Sequence, residues 1–355
     1  MPGFAHWVLA TRLAASALAL ALSACATTGS APVANKPVAP PMTPKMLAAQ
    51  ETLDKMVAQQ DRLYRIAAPL LINNAALCKH QARNLLGFTA KNKFSYPGEY
   101  AEAAQYGLGY GERLQVSGVL VGSGAARAGL RKGDGLIAAD GKNLPRGPHA
   151  EAQAASVLGQ LVSNRATLSM TIARGNGQQV LSVPVTRACA FRVELGNADN
   201  INSYADGQRV MVTRGMIGAA QTDQGLAYVM ATGIAHNILG HAAGQRSTAT
   251  IGSIIDNLAN PQPDLSLLIG SGGMRAMPPE LDAAADALAL YLLARAGYSI
   301  DHAAAFWQQL ANQYPATILN AYTANHPGTA YRIAAIEKTV GEIKARQSAK
   351  LALLP

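Results

Sequence analysis

Imidazoles and carboxylates are the side chains of this 355-residue chain that could hold a metal or move a proton, and it has seven His and 21 Asp+Glu. The stretch Asp223 to His241 reads as a helix entered from Thr222 or Asp223 as N-cap, with Leu226, Val229, Met230 and Ile234 on its apolar face. It carries two histidines, His236 and His241. Histidines four residues apart on a helix face the same way and can grip one zinc ion. These two are five apart, so on a continuous helix the second points about 140° away and the pair cannot share an ion. Glu280 and Asp282 lie about 200° apart on their own helix and do not share one either. His80, His149 and His302 sit in polar or loop-like settings and read as surface residues. Gly270, Gly272 and Gly273 follow an apolar run with no strand–helix phosphate motif around them, so Ser271-Gly272-Gly273-Met274 reads as a mobile loop.

These groups need elements to place them. Residues 45 to 80 alternate apolar and polar at helical spacing (Met46, Leu47, Leu53, Met56, Val57, Leu63, Ile66), which predicts a helix. Leu114 to Val121 reads as a strand, Gly122-Ser123-Gly124 as a turn and Ala125 to Ala128 as a short helix stopped by Gly129. Leu136 to Ala139 re-enters a sheet before the hairpin signal Asp140-Gly141. Asp206 to Thr213 reads as a turn into a strand with period-two alternation. Ala283 to Ala296 is too short and too interrupted, by Asp286 and Arg295, to span a bilayer, and reads as a buried helix. A terminal amphipathic helix follows His326-Pro327, with Ile333, Ile336, Val340 and Ile343 inward. With 49% hydrophobic residues the chain is not disordered, and its 14% charged residues fall below the roughly one quarter usual for globular proteins. The net charge of +9 is scattered, without aromatic interleaving, which argues against nucleic acid as a partner.

Residues 1–24 carry Arg12, no acid and the apolar run Leu13 to Leu22, a signal-peptide pattern too short for a membrane span. Leu22-Ser23-Ala24-Cys25 resembles a bacterial lipobox, which implies a diacylated Cys25 as the mature N-terminus, and Ala26 after it is what outer-membrane lipoproteins typically have. Residues 25–44, with Pro32, Pro37, Pro40, Pro41 and Pro44, read as an extended tether. Export to an oxidising compartment leaves Cys78 and Cys189, for which a disulfide is expected.

Gly122-Ser123-Gly124-Ala125-Ala126-Arg127-Ala128-Gly129-Leu130-Arg131-Lys132-Gly133-Asp134 resembles the central signature of periplasmic PDZ domains. The likeness implies binding of an extended peptide or protein C-terminus along a sheet edge, with Gly107-Leu108-Gly109-Tyr110 as the carboxylate-binding loop. Further passages are similar to zinc metallopeptidases of the CAAX prenyl protease type (gluzincins), in particular bacterial lipoprotein members with an inserted PDZ domain. They are Asn200 to Gly207, Leu226 to Val229, Ala235 to His241, Ala285 to Leu288, Leu292 to Tyr298 and His326 to Arg332. The implied fold is α+β: a mainly helical peptidase domain with a small sheet, from an N-terminal helical segment (45–104) and the main part (189–355), with a β-rich PDZ-like domain (105–188) inserted.

The motif itself departs from that family. Where the family has His-Glu-x-x-His, this chain has Thr232-Gly233-Ile234-Ala235-His236. His236 keeps the second ligand's place, Thr232 stands for the first and Gly233 for the general base. Asp282, one methylene shorter than the family's Glu, holds the third ligand's place, and Asp286 matches the aspartate that steadies a ligating histidine. His326 and Arg332 match residues that contact substrate or its oxyanion. Threonine is not a zinc ligand at neutral pH, so His236 and Asp282 count as two ligands where a catalytic site needs three. Loss of the base alone costs about 10²- to 10⁴-fold in rate. The expectation is therefore a pseudopeptidase, lipid-anchored to the outer membrane and facing the periplasm, that binds peptides in envelope quality control and carries no cofactor. The alternatives are a zinc metalloendopeptidase with a rearranged site drawing on His236, Asp282 and a mobile His326 or His241, and a purely structural lipoprotein.

Overall fold

The computed structural model describes residues 42–243, 248–270, 276–317 and 321–355. The signal segment, Cys25, the tether as far as Pro41 and the loop Ser271–Met274 lie outside them.

Helix α1 (Pro44–Ile72) opens with Thr43 accepting the Met46 N–H and Pro44 in the first turn, where a missing donor costs nothing. Its buried face, including Leu53, Leu63, Ile66, Leu70 and Leu71, seats it on the main core. The helix ends at Ile72 rather than near residue 80 because Asn74 closes it: the Asn74 amide donates to Leu70 O at 2.9 Å and to Leu292 O at 2.9 Å.

The chain then leaves the core through β1 (Ala82–Leu85) and returns through β8 (Thr186–Cys189), antiparallel with Ala82 opposite Cys189. The expected disulfide, Cys78–Cys189, closes this neck. Beyond the neck come β2 (Phe88–Lys91), α2 (Glu99–Tyr106), β3 (Gln115–Val119), α3 (Gly124–Arg127), β4 (Gly135–Ala139), β5 (Lys142–Asn143), α4 (Ala150–Ser163), β6 (Thr167–Arg174) and β7 (Gly177–Pro184). Their antiparallel sheet runs β2-β3-β4-β6-β7, with β5 paired to β4, over a core of Leu114, Val116, Leu136, Leu168, Met170, Ile172 and Val183. The Asp140-Gly141 hairpin forms with positive φ at both residues. Gly124 is obligatory for packing, since a Cβ there would lie 1.5 Å from Pro184 O. The sheet takes its first strand from Phe88–Lys91, so the inserted body begins at the neck and not near residue 105, while α2 packs on α1.

The remaining chain forms β9 (Arg192–Gly196), β10 (Ser203–Ala205), β11 (Arg209–Thr213), α5 (Arg214–Ala220), α6 (Asp223–Leu239), α7 (Thr248–Leu258), α8 (Ser266–Gly270), α9 (Pro279–Ala296), α10 (Ala303–Gln313), α11 (Ala321–Asn325) and α12 (Ala330–Ser348). In the small sheet β11 is central, parallel to β9 and antiparallel to β10. Val210 to Thr213 are all buried, so β11 does not show the expected alternation: it is covered on both faces. Helix α6 is buried at every residue from Gly225 to Asn237, enclosed by the sheet, α1 and α9. Helix α12 turns Ile333, Ile336 and Ile343 inward as expected. Among the described residues no helix is long and apolar enough to cross a membrane.

Candidate functional site

Helix α6 carries His236, the first turn of α9 carries Asp282, and the turn between α11 and α12 carries His326. Ligand atoms of these three side chains all lie within 4.8 Å of one another. His326 Nδ1 is 2.7 Å and His236 Nε2 3.4 Å from Asp282 Oδ1. The side chains are deep in the protein, 5% exposed for His236, 1% for Asp282 and 11% for His326. Two of their atoms, His236 Nε2 and Asp282 Oδ2, are buried without a hydrogen-bond partner. Beside them a cavity of about 30 Å³ is lined by Ser203, Tyr204, Thr232, Gly233, His236 and His326 among others, room for one or two water-sized occupants.

Burial lowers the His236 pKa to about 4, against the opposing pull of Asp282, so this imidazole is neutral at pH 7. Burial would by itself raise Asp282, but the neighbouring imidazoles, His326 at 2.7 Å foremost, and Arg332 hold its carboxyl well below the usual range. A neutral imidazole beside an ionised carboxylate is the protonation state that ligates metals.

One reading of the sequence is corrected here. The helix that bears His236 does not continue to His241: it stops at Leu239, capped by Gly240 in the left-handed region at φ 73°. His241 therefore leaves the helical direction and folds back, its Nδ1 2.9 Å from His236 Nδ1. The structure also brings His326, named above in the alternative reading, beside His236 and Asp282, so that three candidate donors converge although His326 and Asp282 are 44 positions apart in the chain.

Asp286 and Arg332 are placed differently from the roles the resemblance implied. Arg332 is 1% exposed, forks onto both carboxylate oxygens of Asp286, and lies over the Trp307 ring at 4.7 Å. Asp286 Oδ1 also accepts the Thr232 hydroxyl at 3.2 Å. Asp286 thus steadies an arginine and a threonine and no histidine. Arg332 is sealed off from substrate, yet its Nη1 donates to His326 O at 3.1 Å and so fixes the segment that presents the His326 ring. At Gly233, a Cβ would meet Val210 Cγ1 of β11 at 2.8 Å. Val210 thus leaves little room for a side chain at position 233.

A second concave feature lies on the inserted body. Strand β2 forms the sheet's edge with one partner, β3, and cavities of about 410 and 660 Å³ lie between it and α4. Leu85, Leu86, Phe88, Leu158, Val162 and Phe191 are among the residues lining the first, and both cavities also reach α1 and β9. Gly107-Leu108-Gly109-Tyr110 is not the loop leading into this edge. It follows α2 and packs toward α1, with Tyr110 buried and its ring 6.1 Å from that of Tyr96. The chain enters the edge strand through Leu85-Leu86-Gly87-Phe88, whose Gly87 has φ 91°. A glycine between apolar pairs was the available signal, masked by the shortness of the four-residue strand after it. His80, His149 and His302 are exposed, as read from sequence.

No family model and no curated protein matches the chain. Solved structures that are similar include the HtrA3 PDZ domain bound to a phage-derived ligand (FGRWV), 17% identical over 30% of this chain and 88% of that one, with a TM-score of 0.23. A likeness that slight carries no functional inference.

Proposed function

We propose that the chain is a peptide-binding pseudopeptidase: a protein on a gluzincin-type frame that has lost its catalytic base and binds extended chains through an inserted PDZ-like body. The observation that carries the reading is the open edge of β2 facing α4 across an apolar cavity of about 410 Å³. A peptide adding to β2 as a further strand would gain main-chain hydrogen bonds, its apolar terminal residue would enter the cavity between Phe88 and Leu158, and N–H groups near Gly87 would face its carboxylate. At the peptidase-like cleft Gly233 offers no group to activate water, and Val210 occupies the space above it. The N-terminal segment fits the same picture, with Cys25 as a lipid anchor that holds the protein at the outer membrane, facing the periplasm.

The test is peptide binding to residues 42–355 in solution. Peptides with an apolar C-terminal residue should bind, their amidated forms should bind less well, and Leu158→Glu should weaken binding about tenfold or more while leaving the melting temperature near that of the parent. Equal binding by Leu158→Glu would remove the groove from the account. Cleavage of an unfolded substrate that a chelator abolishes would instead identify an active peptidase.

A further inference from the structure

We propose that His236, Asp282 and His326 together bind one divalent first-row transition-metal ion, with His326 supplying the ligand that Thr232 cannot. This holds whether or not the groove on the inserted body takes peptide.

The donors converge from three separate elements to within 4.8 Å. Buried polar atoms without partners are uncommon, since each forfeits its interaction with water. Here two of them, His236 Nε2 and Asp282 Oδ2, belong to neighbouring side chains of the same cluster. A cation among them would satisfy both at once. The surroundings prepare the histidine for that task. His236 Nδ1 lies 2.9 Å from His241 Nδ1; in the tautomer in which His236 donates across that contact, Nε2, the atom nearest Asp282, carries the lone pair an ion would take. Arg332, locked onto Asp286, holds the His326 carbonyl at 3.1 Å and thereby sets where the third donor stands.

Two imidazoles and one carboxylate suit zinc, iron(II), cobalt or nickel, whereas magnesium and calcium favour all-oxygen shells. The site differs from a catalytic zinc centre in what surrounds the ligands. Thr232 is spent on Asp286 and Gly233 carries no base. The ion would thus join α6, α9 and the turn before α12, and the chain's own residues would not turn it into a peptidase.

The soluble chain, residues 42–355, is stripped with chelator and titrated with zinc and with cobalt(II), using magnesium for comparison. Metal per chain, the visible absorption of bound cobalt and the shift in melting temperature are the readouts. One equivalent of zinc or cobalt should bind and raise the melting temperature, and magnesium should do neither. His326→Ala and the gentler His326→Gln should each lose stoichiometric binding while retaining the circular dichroism of the stripped parent. Thr232→Ala should keep binding, and His241→Ala should weaken it about 10- to 100-fold, the usual cost of losing a partner that orients a ligand. Absence of stoichiometric binding in the parent, or full binding in folded His326→Gln, overturns the proposal.

Discussion

Arg332 heads the large side chains buried to less than 2% exposure among the described residues, and burying a guanidinium is tolerable only because Asp286 meets it with both oxygens. Removing one partner strands the other. Arg332→Met is expected to cost about 3–5 kcal/mol in denaturant unfolding, and the double change with Asp286→Leu less than the sum of the two single changes. A double variant that loses the full sum would mean the two residues act independently. Gly233 makes a second residue-scale prediction. Gly233→Ala should lose about 1–3 kcal/mol through the contact with Val210, and adding Val210→Ala should relieve part of that loss. The glycine was plain in the sequence, whereas the closure of β11 over it was not. That closure depends on which strand residue faces the helix, and local pattern does not reveal it.

Among the elements, the neck joins the inserted body to the core through one strand pair and one disulfide, with Cys78 and Cys189 at a sequence separation of 111. A cross-link over so long a loop restricts the unfolded chain strongly, so Cys78→Ser with Cys189→Ser is expected to cost about 2–5 kcal/mol, read as a lower midpoint in denaturant under oxidising conditions. An unchanged midpoint would show that the strand pair alone secures the neck. The pairing was legible because, once Cys25 is read as a lipidation site, two cysteines remain. The four longest helices were legible too, since α1, α6, α9 and α12 carry dense apolar periodicity or clear caps. The end of α6 was misread because His241 continues the local polarity pattern, and only the left-handed Gly240 ends the helix before it. Strand β2 escaped notice for a different reason: four residues are too few to show a period.

Across the whole molecule, acid should be destabilising. Burial would by itself raise Asp134, but hydrogen bonds from Arg174 and the Arg131 N–H hold it below the ordinary carboxylate range. Asp206 is likewise held down, against its burial, by the Gln208 and Arg209 N–H groups and the Arg209 side chain. The unfolded chain regains ordinary values and binds protons more readily, so this stability is complete above the ordinary carboxylate pKa and is lost as pH falls toward the folded values. Asp134→Asn should cost about 1–3 kcal/mol at pH 7 and flatten the slope of stability against pH below about 4. An unaltered slope would assign acid sensitivity to other groups. The lipidation proposed for Cys25 is tested at this scale too: Cys25→Ser should abolish metabolic labelling with a fatty acid, and persistent labelling would exclude lipidation at Cys25.

By itself the sequence determined which residues stand at each position and how its segments are ordered. Thr232 and Gly233 are a matter of residue identity, the cysteines a matter of counting, and the long helices a matter of local periodicity. The tertiary structure alone decided which groups meet. It carried His326 across 44 residues to Asp282, turned His241 back onto His236, buried Arg332 away from the cleft and left the edge of β2 open beside α4. Backbone preference acts over a few neighbouring residues, whereas a ligand set or a groove forms only where distant segments bury their apolar faces together.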